Sequence, residues 1–453
     1  MTEVNKGGAI GEDKAMALYN KGASVAKAVT PKFVKRRVAQ VANVMNRGQR
    51  LADKLSTIDR SDKKSSTFNF GAIKAGVAKL TDIKQIKDFA QIDGITQVMI
   101  LIMGFLFFVI FLWCYNKITL DKQNCRNLEQ IYTKFPVIRT ISKDNPKYCH
   151  NLRDYYIKTA YNCCAGGKYK NDFVNVCALK NCIKQGARCL DFEIYSLDNL
   201  PVISVSSGND YSVKESYNHV PFAKALEIIS VYAFSGNTSP NYGDPLILNL
   251  RIMSNNKKIY DDMAKSLYNI LSDRILGKKF SYENNGFNIG SYPIVDLMGK
   301  VVVIVDKTNP LFTDTLLNEY VNIASNSAFM RSLRFKDVKY SPDMEELSFY
   351  NQKNMSIVLP DYSANNRNFS PSMVMTSGCQ FIGMSFQNFD SNFEYYSLYF
   401  DEVGSAFSLK PKRLRYTPVL IDKPPPPKPE LDYATRPYNP LGENGPSALN
   451  STV

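Results

Sequence analysis

Apolar residues are spaced in three different ways along the chain. From Val98 to Tyr115 the sequence reads VMILIMGFLFFVIFLWCY, eighteen residues without a charge. Ile95–Gln97 extend this run to the roughly twenty residues that cross a bilayer. Core helices rarely stay uncharged for so many turns, and Trp113 and Tyr115 stand where an interfacial aromatic belt would, so the pattern predicts a transmembrane helix over 95–115. The length of chain before it argues against a cleaved signal peptide. Upstream, Pro31–Thr57 places Val34, Val38, Val41, Val44, Met45, Leu51 and Leu55 at roughly helical spacing among lysines and arginines. That spacing suits either a basic amphipathic helix on a membrane or partner, or a marginal helix in a tail.

Beyond the span, short continuous apolar runs alternate with helical stretches. Cys189–Tyr195, Pro201–Val205, Pro245–Leu250, Lys300–Val305 and Phe381–Phe386 read as buried strands; Pro221–Phe234 and Tyr260–Leu276 read as intervening helices. Continuous rather than alternating apolar strands predict a parallel sheet covered on both faces, as in a (β/α) barrel. At the far end PPPPKP (424–429), with Pro437, Pro440 and Pro446, favours extended polyproline conformation, either a plain tail or a ligand for an aromatic-groove protein module.

Charge adds an asymmetry. The chain carries +14, of which residues 1–94 supply +9 from 18 Lys or Arg against 9 acids. A tail of that kind contacts anionic lipid or nucleic acid, or is simply solvated. At 453 residues and 44% hydrophobic, the remainder is ample for a large core, which excludes disorder throughout. There are two histidines, His150 and His219, so a mechanism needing paired imidazoles has no spare candidates.

Between Tyr155 and Arg415 seven segments stand in sequence: YYIKTAYN (155–162), GARCLDFE (186–193), VYAF (231–234), DPLILNLR (244–251), MGKVVVIVDK (298–307), NRNFSP (366–371) and GCQFIGMSFQ (378–387), the last trailed by SLKPKRLR (408–415). Their order and spacing resemble the two halves of the catalytic barrel of eukaryotic phosphoinositide-specific phospholipase C. The resemblance implies a distorted (β/α)8 TIM-type barrel of the α/β class, preceded here by a basic tail and one transmembrane helix. It implies a division into a tail (1–94), a span (95–115), a membrane-proximal connector (116–154), a first barrel half (155–306), a connector (307–350), a second half (351–417) and a Pro-rich tail (418–453).

In that family two histidines act as acid and base, and a calcium ion held by an Asn and three carboxylates polarises the phosphate. Hard oxygen ligands suit calcium. The first His-Asn pair falls on Tyr161-Asn162, so the ligand Asn is kept and the imidazole is a tyrosine. His150-Asn151 is a decoy dipeptide eleven residues upstream. The Glu-x-Asp pair appears as Asp191 and Glu193, which alternate along a strand and share a face. The second histidine should follow the strand at Pro201, where PVISVSSGND has none; His219 comes later and reads as structural. The third carboxylate falls on Arg251, a permanent cation that cannot ligate a metal but can bond its neighbouring carboxylates bidentately. The lysines of the substrate clamp fall on Ile304 and Asp306, and its Arg and Tyr on Ile357 and Leu359.

These replacements imply a barrel reused for structure or for binding protein or lipid, with no catalytic residue and no cofactor, calcium binding only if the relic site retains affinity. The alternative is a divergent phosphoric diester hydrolase acting on phosphoinositides or glycerophosphodiesters, using Asp191, Glu193 and Tyr161 in another arrangement. Seven of nine cysteines lie between Cys125 and Cys189, with no CxxC pair, which argues against zinc. Cys125, Cys149, Cys163, Cys164, Cys177 and Cys182 are bridge candidates in an oxidising compartment, or free thiols. No P-loop, GxSxG or HExxH motif occurs. The charges flanking the span are balanced, three basic residues in 75–94 against four in 116–135. The basic tail, the cysteines and the sequons at Asn237, Asn354, Asn368 and Asn450 together place the barrel on the lumenal or exterior side. An Asn- and Lys-rich chain with a degenerate host-like enzyme domain suits a large DNA virus, which adds a virion membrane to the candidate locations.

Overall fold

A computed structural model describes residues 94–211, 213–281 and 288–418. The basic tail with its Pro31–Thr57 segment, the Pro-rich run at 424–429 and Asn450 lie outside the described residues.

Helix α1 (Gly94–Ile131) is long and apolar enough to cross a membrane, and the side chains from Val98 to Trp113 that are large and apolar are exposed. It does not stop at the end of the apolar run. The polar continuation from Asn116 to Ile131 remains helical, so much of the segment expected as a connector at 116–154 is part of the same rod. Leu128 and Tyr132 are buried where this rod meets the barrel, and the Tyr132 hydroxyl donates to Phe386 O at 2.5 Å.

Eight parallel strands make a nearly closed barrel. In spatial order they are β7 (Ile323–Ser325), β6 (Val301–Asp306), β5 (Leu246–Ile252), β2 (Cys189–Leu197), β1 (Tyr155–Ala160), β10 (Phe381–Met384), β9 (Met355–Leu359) and β8 (Met330–Arg334). Every ladder along this path is parallel; among the described residues none joins β7 to β8, which is the gap in the wall. β1, β5 and β9 are buried at every position, as strands with packed side chains on both faces require. The outer layer includes α2 (Val176–Lys184), α3 (Phe222–Tyr232), α4 (Lys257–Leu271), α5 (Phe335–Lys339), α6 (Met344–Lys353), α7 (Pro371–Thr376) and α8 (Ser391–Val403). Local sequence sets their ends: the Asn175 side chain caps α2 by accepting from Cys177 N, Asp390 caps α8 through Phe393 N, and Gly404 closes α8 at φ 74°.

Two expectations need correction. Pro201–Val205 is not a barrel stave: β3 (Leu200–Ser204) turns back antiparallel on β2 and carries the two-residue β4 (Val220–Pro221). Asp198 and Asn199, both at positive φ, make that turn, so an apolar run that suited a parallel strand forms a hairpin instead. Residues 307–350, expected as a connector, supply β7 and β8. They are short, and β8 alternates Met330, Ser332 and Arg334 with Arg331 and Leu333, which hides it from a search for continuous apolar runs.

Of the six candidate bridge cysteines, Cys125 and Cys177 are joined, with Cα atoms 5.9 Å apart; Cys149, Cys163, Cys164 and Cys182 are free thiols. The bridge fastens α1 to α2 across a sequence separation of 52 residues. Closing a loop of that size restricts the unfolded chain by up to about 4 kcal/mol in the chain-entropy account. Cys125→Ser or Cys177→Ser should therefore lower the denaturant midpoint of the full chain in detergent, at a cost of roughly 2–4 kcal/mol. An unchanged midpoint under non-reducing conditions would show that the bridge does not hold the fold.

Candidate functional site

The carboxyl ends of β1, β2 and β5 bring five sequence-selected residues together: Tyr161, Asn162, Asp191, Glu193 and Arg251. Tyr161 and Asn162 follow β1 directly, and Asn162 sits at φ 46°, a left-handed conformation that asparagine tolerates better than most residues. On β2, Asp191 and Glu193 point to one face. The parallel register with β5 sets Asp191 beside Asn249 and Glu193 beside Arg251. All of these side chains are buried.

Arg251 is the hub. Its Nε donates to Asp191 Oδ1 at 2.8 Å and its Nη2 to Asp191 Oδ2 at 2.8 Å, a bidentate pair; Nη1 donates to Glu193 Oε1 at 2.6 Å, and Nη2 also reaches Asn162 Oδ1 at 2.8 Å. The remaining acceptor capacity is used as well. Asp191 takes the Asn162 backbone N–H at 3.0 Å and Asn249 Nδ2 at 2.7 Å, while Glu193 Oε2 takes Ser206 N at 2.9 Å. Burial works against the guanidinium charge, but Asp191 and Glu193 outweigh it and push the Arg251 pKa well up, so the cation is permanent.

A second arginine stands on the other side of Tyr161. Arg334, at the end of β8, stacks on Tyr362 with 3.6 Å between guanidinium and ring centroid, and its Nη1 donates to Pro360 O at 2.9 Å and to the Tyr161 hydroxyl at 3.3 Å. Arg251 lies 4.9 Å from the Tyr161 ring centroid. Burial raises the Tyr161 pKa and the two arginines only partly offset it, so the phenol stays protonated at neutral pH. Arg251, Arg334, Asp306, Asn309, Tyr211 and Tyr362 line a cavity of about 160 Å³ at this end of the barrel.

The other expected positions are dispersed. Ile304, Ile357 and Leu359 are fully buried in their strands. Asp306 ends β6, and its Oδ1 accepts from Thr308 N at 2.9 Å, Thr308 Oγ1 at 2.7 Å and Asn326 Nδ2 at 3.0 Å. His150 and Asn151 precede β1, at the opposite end of that strand from Tyr161, where His150 Nε2 lies 3.1 Å from Arg415 Nη1. His219 is an exposed residue immediately before β4. Arg334, Tyr362, Asn249 and Ser206 were not legible as site residues. Asn249 could have been found as the inward neighbour of Arg251 two positions along the same strand; Arg334 lies on a strand that sequence periodicity missed.

A divalent cation does not fit this donor set. Asn162 Oδ1 and both carboxylates already accept N–H bonds from Arg251, and the guanidinium fills the space between them, adding a positive charge where a cation would sit. No cluster of three or more His, Cys, Asp or Glu able to hold a metal occurs among the described residues.

Comparison with known proteins gives a match over part of the chain. Residues 148–307 match the family model described as phosphatidylinositol-specific phospholipase C, X domain. No curated protein sequence matches the chain. Among solved structures, PLC21 of L. pealei is similar over 59% of this chain and 38% of its own, at 18% identity and a TM-score of 0.48. PLC21 of S. officinalis has the same coverage and TM-score at 17% identity. The calcium-dependent phosphoinositol-specific phospholipase C of a Pseudomonas species is similar over 56% of this chain and 95% of its own, at 11% identity and a TM-score of 0.37. The chain thus spans well under half the length of the two PLC21 proteins. Residues 148–307 are thus similar to the X domain of phosphatidylinositol-specific phospholipase C.

Proposed function

We propose that this is a membrane-anchored phospholipase C-like module that binds rather than hydrolyses, a pseudoenzyme with a structural, protein-binding or lipid-binding role. The observation that carries the reading is Arg251, whose guanidinium bonds the oxygens of Asn162, Asp191 and Glu193. Phosphodiester cleavage by this family's route needs a Lewis acid at that place and general acid–base groups beside it. Tyr161, a protonated buried phenol, supplies neither a base nor a metal ligand in this arrangement. Neither histidine is placed to help, since His150 lies at the other end of β1 and His219 is exposed before β4. What the site keeps is a rigid polar floor and a small cavity with Arg334 in its wall, suited to holding an anionic group.

The anchor is α1, read as a single span. The barrel is assigned to the lumenal or exterior side on the strength of the Cys125–Cys177 bridge, which favours an oxidising compartment. The sequons carry less. Asn237 is exposed, Asn354 is half-buried, and Asn368 is buried, with its Nδ2 donating to Ser385 O and Asn388 O and its Oδ1 accepting from Ser385 N, which leaves no room for a glycan. On this reading the basic tail faces the other compartment, where anionic lipid or nucleic acid is its partner, and the Pro-rich tail offers a ligand to a protein module on the barrel side.

Two outcomes follow. The purified full chain in mixed micelles should release no inositol phosphate from phosphatidylinositol or its bisphosphate above a protein-free control, with or without calcium. Calcium-dependent turnover that Asp191→Ala abolishes would establish the hydrolase alternative instead. In sealed vesicles oriented with the cytoplasmic face outward, added protease should remove residues 1–94 and spare 120–453; digestion of the barrel with protection of the basic tail would reverse the topology.

A further inference from the structure

The outer wall of the barrel beside α8 is apolar on the side that faces solvent. Helix α8 buries Phe393, Tyr396 and Phe400 against the core, and its opposite face, at the helical spacing of positions 391, 395, 398 and 402, carries Tyr395 and Leu398, each about half exposed. The segment 132–139 runs alongside this helix. At one end the Tyr132 ring lies 6.4 Å from the rings of Phe389 and Phe393, and at the other Arg139 N donates to Gly404 O at 3.0 Å. The 13 residues of α8 rise about 20 Å, and the chain from 132 to 139 covers about the same length when extended. Phe135, Val137 and Arg139 alternate along it and are exposed, while Ile138 between the last two is buried.

Charge divides this face into two halves. Helix α8 contains Glu394, Asp401 and Glu402 and no basic residue, whereas residues 131–139 contain Lys134 and Arg139 and no acid. Among the described residues the side chains of Lys134, Arg139, Glu394 and Glu402 form no ion pair. An acidic half and a basic half thus lie side by side with exposed apolar side chains in each. A two-fold rotation lays the acidic half of one copy on the basic half of another at both places at once, which is the self-complementarity that an isologous contact requires. The area fits as well. Phe135, Val137, Tyr395 and Leu398, each about half exposed, and Val403, 39% exposed, present on the order of 400 Å² of apolar surface. A standard interface buries about 800 Å² per partner, a little over half of it apolar.

We propose that the face made by α8 and segment 132–139 joins two copies of this chain as a dimer, with Val137, Tyr395 and Leu398 at its apolar centre and Lys134 and Arg139 of each copy paired with Glu394 and Glu402 of the other. The occupant is a second copy because both signs of charge stand on one chain, each beside apolar surface of its own. Pairing gives one assembly two α1 helices and two basic tails, so contacts that are weak singly act together.

The test uses the full chain in detergent, with the protein mass per micelle read by native mass spectrometry. The unaltered chain should hold two copies at micromolar concentration, and Leu398→Glu should raise the dissociation constant about tenfold or more. Two charge variants separate a lost contact from a lost fold. Glu394→Lys with Glu402→Lys makes both halves basic, and Lys134→Glu with Arg139→Glu makes both acidic. Each variant alone should be monomeric with the circular dichroism of the unaltered chain, and an equimolar mixture should form a dimer holding one copy of each. A single copy of the unaltered chain per micelle overturns the proposal. So does a dimer that Leu398→Glu and both charge variants leave intact, or a mixture of the charge variants that stays monomeric.

Discussion

The guanidinium of Arg251 is the point on which the mouth of the barrel depends. Two buried carboxylates on one face of β2 need a cation beside them, because isolated buried charge costs several kcal/mol per ion. A bound metal ion is one way to supply it; here a side chain from β5 does. The difference is one of kind. A bound ion exchanges, polarises a substrate oxygen and keeps open coordination positions, whereas a guanidinium is covalently fixed and has its donors already committed to Asp191, Glu193 and Asn162. Replacing a buried ion pair by apolar residues is often neutral, but removing one partner is costly, so the loss of any one of Arg251, Asp191 and Glu193 leaves an uncompensated buried charge.

The same constraint accounts for the surroundings. Asn162 holds a left-handed backbone conformation that lets its backbone N–H reach Asp191 while its side-chain oxygen receives Arg251. Loop 206–218 is pulled over the site through Ser206 N and Glu193, and the same loop supplies Tyr217 to the end of α1 that carries Lys117. Site, loop and α1 are thus linked through the buried Ser206–Glu193 hydrogen bond and the partly exposed Lys117–Tyr217 contact.

Much of the barrel was legible because its longest strands are rich in apolar residues. β2, β5 and β6, and helices α3 and α4, fall close to their expected bounds since burial on both faces writes itself directly into composition. The polar site was legible for a different reason: Asp191 and Glu193 are two apart on one strand, and their meeting with Arg251 needs only that β5 lie beside β2. Where pairing depends on partners distant in sequence, the signal fails. β7 and β8 are three and five residues long, β3 is apolar yet antiparallel, and the partner of Cys125 is one choice among many pairings of six cysteines. Arg334 reaches Tyr161 across 173 positions of sequence, a contact that barrel closure creates and that no local pattern announces.

The most direct measurement is the denaturation midpoint of the full chain, and of Arg251→Glu, with and without millimolar calcium. The account predicts that calcium leaves the unaltered chain unchanged within error. Arg251→Glu, which places a third carboxylate beside two others, should lose about 3–5 kcal/mol without calcium and recover part of that loss when calcium is added. A midpoint of the unaltered chain that rises with calcium, in a variant series where Asp191→Asn abolishes the rise, would show that a metal and not Arg251 completes the site.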